Sequence, residues 1–445
     1  MIGFRFSNAG PKLWAKLRLL LMSALTVVTS EARANPASNA RADLLASPEP
    51  GWPQFRGPRR DGISDERGLL QSWPEGGPKL IWSADGAGRG YSSPIVANGR
   101  LFVTGDFGED LYLLAYDLEG KPLWRVQNGR AWLHQHQGAR ASVTCFAGRL
   151  YHQNAHGRVA CFDAATGKEL WSVETLEKFG GENIRWGISE CLLVDERAVY
   201  VTPGGSGAFL VALNRSNGEV LWKTEALAEA KQGEGGAGYA APIFVRFAGR
   251  RLIVGASAQH LFAVDADKGQ LQWTRSRETG YSVLAMSPVL VEDAIFMSAP
   301  LGPPGALHKL IASRQVGGKV EVEDKWTTDL DPAQGGAVYM NGRIYGAYYP
   351  RNRGWAALEA ATGQVLYEAP EFVKGAALFA DRRLYALCED GWLLLLEPTD
   401  SAFKVHGRFK LTAGRERDVW AHPSIVDGRM YLRYHDKLFC HDIRD

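Results

Sequence analysis

The phrase DAATGKELWSV, residues 163–173, decides the fold because close variants of it recur along the chain. It returns as DLEGKPLWRV from residue 117, NRSNGEVLWKT from 214, DADKGQLQWTR from 265 and EAATGQVLYEA from 359. Including three looser copies, successive closing aromatics lie 42, 47, 51, 51, 53, 41 and 42 residues apart. A period of about 40 to 50 residues of strand-like sequence is typical of propeller blades. The closing aromatics are Trp82, Trp124, Trp171, Trp222, Trp273, Trp326, Tyr367 and Phe409.

One unit, residues 141–174, shows how the phrase builds a blade. Its sequence holds four short apolar runs separated by tight turns, which predicts a four-stranded meander. Gly167 suits the left-handed position of a three-to-five-residue hairpin loop with a bulge. Asp163 can brace the same loop by accepting bonds from backbone N–H groups. We expect Trp171 to project from the fourth strand and pack against the adjacent blade.

The two ends of the chain together supply one blade. The last unit, AHPSIVDGRMYLRYHDKLFCHDIRD from residue 421, has three strands and no fourth, whereas PKLIWSAD at 78–85 is a fourth strand with no blade before it. Pairing them closes the ring without exposed edges. The sequence therefore predicts an all-β fold, an eight-bladed β-propeller of four-stranded antiparallel blades, in which the N-terminal strand completes the last blade.

The N-terminus is typical of export. Lys12, Lys16 and Arg18 precede the apolar run 19–28, and the small-residue pattern of ARA at 32–34 follows. This order predicts a signal peptide, residues 1–34, cleaved after Ala34. A membrane anchor or a buried helix are the alternatives, but ten apolar residues are too few to span a bilayer. We expect a protein of the periplasm or the extracellular space, with no transmembrane segment once it is mature.

Three segments are expected after the signal peptide: a flexible linker at 35–50, an N-terminal arm packed on the propeller at 51–77, and the propeller itself at 78–445. In the arm, GWPQFRGPRRDGIS at 51–64 has two interpretations. Trp52, Phe55 and Arg56 can pin the arm so that the closing strand docks. Alternatively, Arg56, Arg59 and Arg60 mark a partner site.

Bulk composition excludes some functions. A formal net charge of +2 and the lack of a long basic run argue against binding to nucleic acid. The five cysteines are widely spaced and mostly lie in apolar strand-like runs, which indicates buried thiols. One structural disulfide is the alternative in an exported protein.

The repeat resembles the PQQ-binding-like β-propeller repeat proteins, where PQQ is pyrroloquinoline quinone. The resemblance rests on the recurring phrase, on the strand openings GYSSPIV at 90–96 and GYAAPIF at 238–244, and on the lead-in at 51–64. It covers essentially all of residues 51–445. It implies the propeller fold, but the superfamily includes both quinoprotein dehydrogenases and BamB-type factors that assist outer-membrane protein assembly, so it does not choose a function.

The sequence predicts no catalytic residue and no metal site. A quinoprotein dehydrogenase needs cationic groups around an aromatic floor and oxygen ligands for Ca²⁺. The chain has neither adjacent cysteines nor a haem-attachment motif, and Asp265 and Asp267 occupy the turn of the repeat. His134 and His136 share a spacing with some zinc sites, but no third ligand is identifiable.

The mouth of the central channel is the best place to look for function. Residues just before the innermost strands approach the axis, and their aromatic, arginine and histidine side chains could bind an anionic or planar ligand. Two alternatives stand beside that interpretation: the residues plug the channel, or they form a surface for a protein partner. The predicted residues are Tyr91, Arg140, Arg185, Trp186, Tyr239, Trp420 and His422.

Taken together, these features favour an exported, non-catalytic propeller that is a binding scaffold for a protein, a ligand or an envelope component. The alternative is a PQQ-dependent oxidoreductase of the alcohol or sugar dehydrogenase type, with PQQ and Ca²⁺ on the propeller axis. A third hypothesis is a sensor domain for a small sugar or aromatic ligand.

Overall fold

A computed structural model of the chain confirms the predicted fold: an all-β ring of eight four-stranded antiparallel blades. It describes residues 1, 3, 41–227, 236–277, 279–300, 302–315, 317–349, 353–412 and 417–445. The compact unit that forms the ring spans Ala40–Asp445. The predicted signal peptide, apart from residues 1 and 3, lies outside the described residues. No helix in the described ranges is long and apolar enough to cross a membrane.

The strands follow the repeat, four to a blade. Blade 1 holds β4 (Ile95–Ala97), β5 (Arg100–Phe107), β6 (Asp110–Asp117) and β7 (Pro122–Arg130). Blade 2 holds β8 (Thr144–Phe146), β9 (Arg149–Gln153), β10 (Arg158–Asp163) and β11 (Glu169–Glu174). Blade 3 holds β12 (Leu193–Val194), β13 (Ala198–Val201), β14 (Val211–Asn214) and β15 (Val220–Lys223). Blade 4 holds β16 (Ile243–Phe247), β17 (Arg250–Ala256), β18 (His260–Asp265) and β19 (Leu271–Ser276).

The second half continues the pattern. Blade 5 holds β20 (Val289–Val291), β21 (Ala294–Met297), β22 (Gly305–Ile311) and β23 (Glu321–Thr328). Blade 6 holds β24 (Val338–Met340), β25 (Arg343–Ala347), β26 (Trp355–Glu359) and β27 (Val365–Ala369). Blade 7 holds β28 (Gly375–Ala380), β29 (Arg383–Cys388), β30 (Trp392–Pro398) and β31 (Phe403–Lys410). Blade 8 holds β32 (Ser424–Val426), β33 (Arg429–Tyr434), β34 (Lys437–Asp442) and β3 (Leu80–Ala84). One short helix, α1 (Thr175–Phe179), and one 3₁₀ turn, Ala333–Gly335, interrupt the strands.

The ring closes as the sequence predicts. Strand β3 pairs antiparallel with β34, so that Leu80 lies opposite His441 and Ala84 opposite Leu438. The first strand of the repeat array therefore completes the last blade, and both chain ends of the propeller are held in one sheet.

The recurring phrase forms a turn followed by an aromatic residue that packs against the adjacent blade, and this prediction is confirmed. The register of the last hairpin shifts by a bulge in every blade. Gly167 has φ +74°, and a Cβ there would lie 2.7 Å from the ring of Trp124 in the preceding blade. Trp171 repeats the arrangement with the following blade: its ring faces Gly218, and its Nε1 donates to the carbonyl of Arg215 at 3.1 Å. The phrase thus fixes the contact between neighbouring blades.

All five cysteines are free and buried, which confirms the thiol prediction. Burial raises the thiol pKa of Cys145 to about 12 and that of Cys191 to about 11. These thiols remain protonated at neutral pH and pack as small apolar groups.

The N-terminal segment adds two strands to the inner edges of blades. Strand β1 (Asp43–Leu44) pairs antiparallel with β16, and strand β2 (Ile63–Ser64) pairs parallel with β28. Residues 43–44 fall within the predicted flexible linker, which is a correction: their backbone groups join the ladder of blade 4 and are not free. Ala42 is buried beside them, in the core of blades 4 to 6.

Candidate functional site

The arm seals one end of the central channel. Trp52 exchanges backbone hydrogen bonds with Val96 of blade 1, and the carbonyl of Pro53 accepts one from Cys145 of blade 2. Further along, the carbonyl of Gly62 accepts a bond from Phe379 of blade 7. The segment around these residues therefore crosses the axis from one side of the ring to the other.

Arg60 anchors this crossing from within the protein. It is 2% exposed, and burial lowers the pKa of its guanidinium to about 10. Every donor group of the side chain is used, which is how a buried guanidinium is tolerated. Its acceptors are the carbonyls of Cys191, Leu192 and Pro242, Oγ1 of Thr144 and Oε1 of Gln54.

Arg56 reaches the opposite wall. Its Nη2 donates to the carbonyl of Ala337 in blade 6 at 2.5 Å and to that of Asp61 at 2.9 Å. Desolvation by burial lowers the pKa of this guanidinium also to about 10. Both arginines thus bond to main-chain carbonyls inside the ring, and the contacts support a pinning role for the arm.

The other end of the channel is open and aromatic. A cavity of about 360 Å³ lies where the chain enters the innermost strands. Phe55 of the arm lines the cavity, and it packs edge-on against the buried ring of His422, 4.8 Å between centroids. This cavity is called the channel mouth below. The aromatic residues that line it are Phe55, Tyr91, Trp186, Tyr239, Tyr281, Tyr349 and Trp420.

The rings of the channel mouth contact one another. Tyr91 and Trp420 lie 4.7 Å apart between centroids, and Trp186 lies 5.7 Å from Tyr281. Tyr281 is 44% exposed, so its ring is available at the rim. Arg185 stacks on it, with its guanidinium carbon 4.8 Å from the ring centroid. Exposed tryptophan, tyrosine and arginine side chains are enriched where binding energy concentrates in protein interfaces.

Arg140 is part of the wall. Its Nη1 donates to the carbonyl of Trp186 and its Nη2 to that of His136, the latter at 2.6 Å. Burial lowers the pKa of its guanidinium to about 10, and Asp106 opposes this shift. Because these donors are already used, Arg140 shapes the loops of the mouth and adds a positive charge behind them.

The structure brings most of the predicted residues together. Tyr91, Arg140, Trp186, Tyr239 and Trp420 line the cavity, and Arg185 lies at its rim. His422 lies underneath: its Nε2 meets the carbonyl of Gln334 at 2.9 Å, and burial lowers the pKa of its imidazole to about 3. It is a packing residue in this structure and does not line the cavity.

Four residues of the lining that bear aromatic or imidazole rings were not predicted as ligand contacts. Phe55 comes from the arm, and the sequence could not show that the arm crosses the axis. Tyr281 lies in the loop that leads into β20, and Tyr349 lies in the loop between β25 and β26. His136 was considered only as a zinc ligand, whereas its φ of 56° turns it toward Trp420, 5.1 Å between ring centroids.

The paired histidines of WLHQHQGAR do not share a face. Residues 131–138 form no strand, and His134 packs on Trp132, 4.9 Å between ring centroids. Within the described ranges no group of three or more histidine, cysteine, aspartate or glutamate side chains is arranged to hold a metal ion. Asp265 braces its turn, as predicted, by accepting bonds from the N–H groups of Asp267 and Lys268.

The channel mouth does not fit PQQ with Ca²⁺. Its aromatic walls suit a flat ring, but no carboxylate side chain lines the cavity to bind a hard cation. Glu389 lies behind the lining residue Trp420 and accepts a hydrogen bond from its Nε1 at 2.8 Å, and burial raises the pKa of Glu389 to about 7. Arg140 is the single cationic residue of the lining, and its bonds to carbonyls compete with a cofactor carboxylate.

Comparison with known families agrees with this architecture. The model of a family described as "Outer membrane protein assembly factor BamB" matches residues 63–186 and 155–320, more than half of the chain. The chain belongs to this family. The BamB family is one of the PQQ-like propeller families that the repeat resembles.

Individual members of the BamB family share little sequence identity with this chain. An outer membrane protein assembly factor BamB from Alkalilimnicola ehrlichii is 27% identical over 224 residues, 49% of this chain and 51% of that protein. The match therefore spans about half the length of that relative.

Solved structures show the same fold. The crystal structure of BamB from Moraxella catarrhalis has a TM-score of 0.56 at 14% identity and covers 82% of this chain and 99% of that one. Quinohemoprotein alcohol dehydrogenase from Comamonas testosteroni has a TM-score of 0.59, also at 14% identity, covering 88% and 80%. At this identity the likeness concerns the propeller alone.

Proposed function

We propose that this protein is an exported, non-catalytic propeller of the cell envelope that binds a protein partner at its channel mouth. The observation that carries the proposal is the structural difference between the two ends of the channel. The arm fills one end, while aromatic rings and Arg185 are presented at the other. A rim of this composition is typical of interface residues that contribute most to binding.

Family membership indicates the context of the partner. The family and a curated relative are named for outer-membrane protein assembly, so we expect the partner among proteins of that process. Export is supported by the N-terminal sequence pattern and agrees with an envelope function.

A deletion and complementation experiment tests this function. Removing the gene should lower the amount of outer-membrane β-barrel proteins, and the wild-type gene should restore it. Trp186→Ala should fail to restore it although the variant folds, because it removes a half-exposed ring of the mouth. Arg314→Ala, an exposed change in blade 5, is the matched control and should restore the wild-type level. Unchanged β-barrel levels after deletion would refute the proposal.

A PQQ-dependent oxidoreductase is the second candidate, favoured by the size and aromatic walls of the cavity. Calorimetric titration of the mature protein with PQQ and Ca²⁺ separates the two. We expect no binding heat from folded protein. Saturable binding that Arg185→Ala weakens, together with oxidation of an alcohol or sugar, would replace the scaffold function by the enzymatic one.

A further inference from the structure

A second cavity lies away from the channel mouth, between blades 6 and 7 on the side of the arm. It has a volume of about 510 Å³, within the range of small-molecule sites. Arg67 of the arm and the neighbouring Arg382 and Arg383 of blade 7 line it. We refer to this cavity as the arginine cleft.

The acids of the arginine cleft are hydrogen-bonded by basic side chains from outside it. Asp65 accepts two hydrogen bonds from Arg59, at 2.5 and 3.0 Å. Glu397 accepts one from Nε2 of His406 at 2.5 Å. Neither Arg59 nor His406 lines the cleft. The three arginines that do line it therefore give the cleft a positive charge that these acids offset only in part.

Arg382 occupies a backbone position that favours glycine. The turn between the first two strands of a blade has glycine as its second left-handed residue in five blades. Blade 7 instead has Asp381 at φ 42° and Arg382 at φ 68°. An L-residue is strained in this region, and such strain concentrates at functional sites. The glycines of the other five turns are Gly99, Gly148, Gly249, Gly342 and Gly428.

The side chain of Arg382 is also unusual in what it contacts. It is exposed and makes no hydrogen bond or ion pair with the described part of the chain. Arg383, by contrast, is nearly buried, and its Nε donates to the carbonyl of Gln71 at 3.1 Å. Blade 7 thus keeps a strained arginine whose guanidinium stabilises nothing inside the protein.

We propose that the arginine cleft binds the phosphate group of an organic phosphate. Guanidinium groups match phosphate oxygens in bidentate pairs, and the guanidinium of Arg382 can form such a pair while Arg67 and Arg383 add positive charge to the same cleft. Phe379 and Met340 line the same cleft and supply an apolar surface for the organic part. The proposal is independent of the protein partner at the channel mouth.

The test is calorimetric titration of the mature protein with sn-glycerol 3-phosphate, with glycerol as the uncharged comparison. Saturable binding of the phosphate alone is expected. Arg382→Gly should weaken it by about tenfold or more, since a hydrogen bond to a charged group is lost. The same variant should melt at an unchanged or higher temperature, because glycine relieves the left-handed strain. Arg382→Lys keeps the charge without the planar fork and should fall between the two.

Arg314→Gly is the matched control, because it removes one exposed arginine of blade 5 that does not line the cleft. It should bind as wild type does. No binding by the wild-type protein at about 10 mM phosphate ester, an unchanged affinity in Arg382→Gly, or an equal loss in Arg314→Gly would each overturn the proposal.

Vesicles distinguish the source of the phosphate. Binding to phosphatidylglycerol vesicles but not to phosphatidylcholine vesicles, lost in Arg382→Gly, would assign the cleft to a lipid headgroup. Binding of sn-glycerol 3-phosphate without vesicle binding would assign it to a soluble organic phosphate. Either result supports the site.

Discussion

The two ends of the central channel are built from the same kinds of residue and differ in how their polar groups are used. At the sealed end, Arg60 and Arg56 are buried and donate to backbone carbonyls on opposite walls. At the open end, Arg185 and Tyr281 are exposed and stack on each other. Arginine beside aromatic residues therefore says little by itself. Where acceptors from the fold bond the guanidinium, as at Arg60, it stabilises structure, and where they do not, as at Arg185, it remains available for binding.

The largest expected loss of stability comes from a substitution at the sealed end. Arg60→Met removes all the bonds of the guanidinium and takes this donor from the buried carbonyls of Cys191 and Pro242, whereas that of Leu192 keeps the hydroxyl of Thr144. An unsatisfied buried polar group costs about 1 to 3 kcal/mol, so the free energy of unfolding should fall by about 4 kcal/mol. Chemical denaturation measures the change.

Arg59→Met is the control for this prediction. Arg59 is partly exposed and pairs with Asp65 at the surface and with the largely buried Asp61, so its loss should cost about 1 to 2 kcal/mol, less than that of Arg60. Equal losses in the two variants would show that Arg60 does not hold the arm in the way described.

A second prediction concerns pH and involves a buried carboxyl near Arg60. Glu190 is buried near Arg60, accepts bonds from the N–H and hydroxyl of Thr202, and has a pKa that desolvation raises to about 7. A carboxyl with a raised pKa in the folded state holds its proton more tightly there than in the unfolded chain. Its contribution is therefore most favourable below its ordinary pKa of 4.5 and is lost as the pH rises to 7.

Glu190→Gln should remove this part of the pH dependence. The free energy of unfolding of the variant minus that of the wild type should rise by up to about 3 kcal/mol between pH 4 and pH 8. Denaturation curves across this range measure it. Glu196→Gln, an exposed neighbour, should follow the wild-type profile. A wild-type profile in Glu190→Gln would contradict a raised pKa.

The smallest expected change in stability is at the open end. Tyr281→Ala removes a ring that is 44% exposed, so the free energy of unfolding should change by less than about 1 kcal/mol. Denaturation should thus separate it clearly from Arg60→Met. A loss as large as that of Arg60→Met would mean that the rim is structural and that the contrast between the two ends is wrong.

Much of the fold could be predicted because the sequence repeat corresponds to the blades one by one. Three features of the sequence predict contacts within and between blades. They are the spacing of the closing aromatics, the glycine of each turn, and the strand at 78–85 that has no blade before it. The position of β1 was missed because a two-residue strand carries too little periodicity to distinguish it from a linker.

The site was predictable only in outline. The strand openings predicted that Tyr91, Trp186 and Trp420 converge, but not that carbonyls would engage Arg140 or that His422 would lie beneath the cavity. Phe55 could not be assigned to the mouth, because its position depends on where the arm crosses the axis. Such placements follow from tertiary packing between distant segments, which local sequence patterns do not encode.

Site-specific photocrosslinking in intact cells tests whether the open channel mouth binds a protein partner. A photoreactive phenylalanine replaces Tyr281 at the channel mouth in one strain and Arg314 in blade 5 in another. We expect a discrete crosslinked protein of outer-membrane assembly at position 281, absent at position 314 and lost when Trp186→Ala is added. No crosslink at position 281 in folded protein, or the same product at both positions, would contradict it.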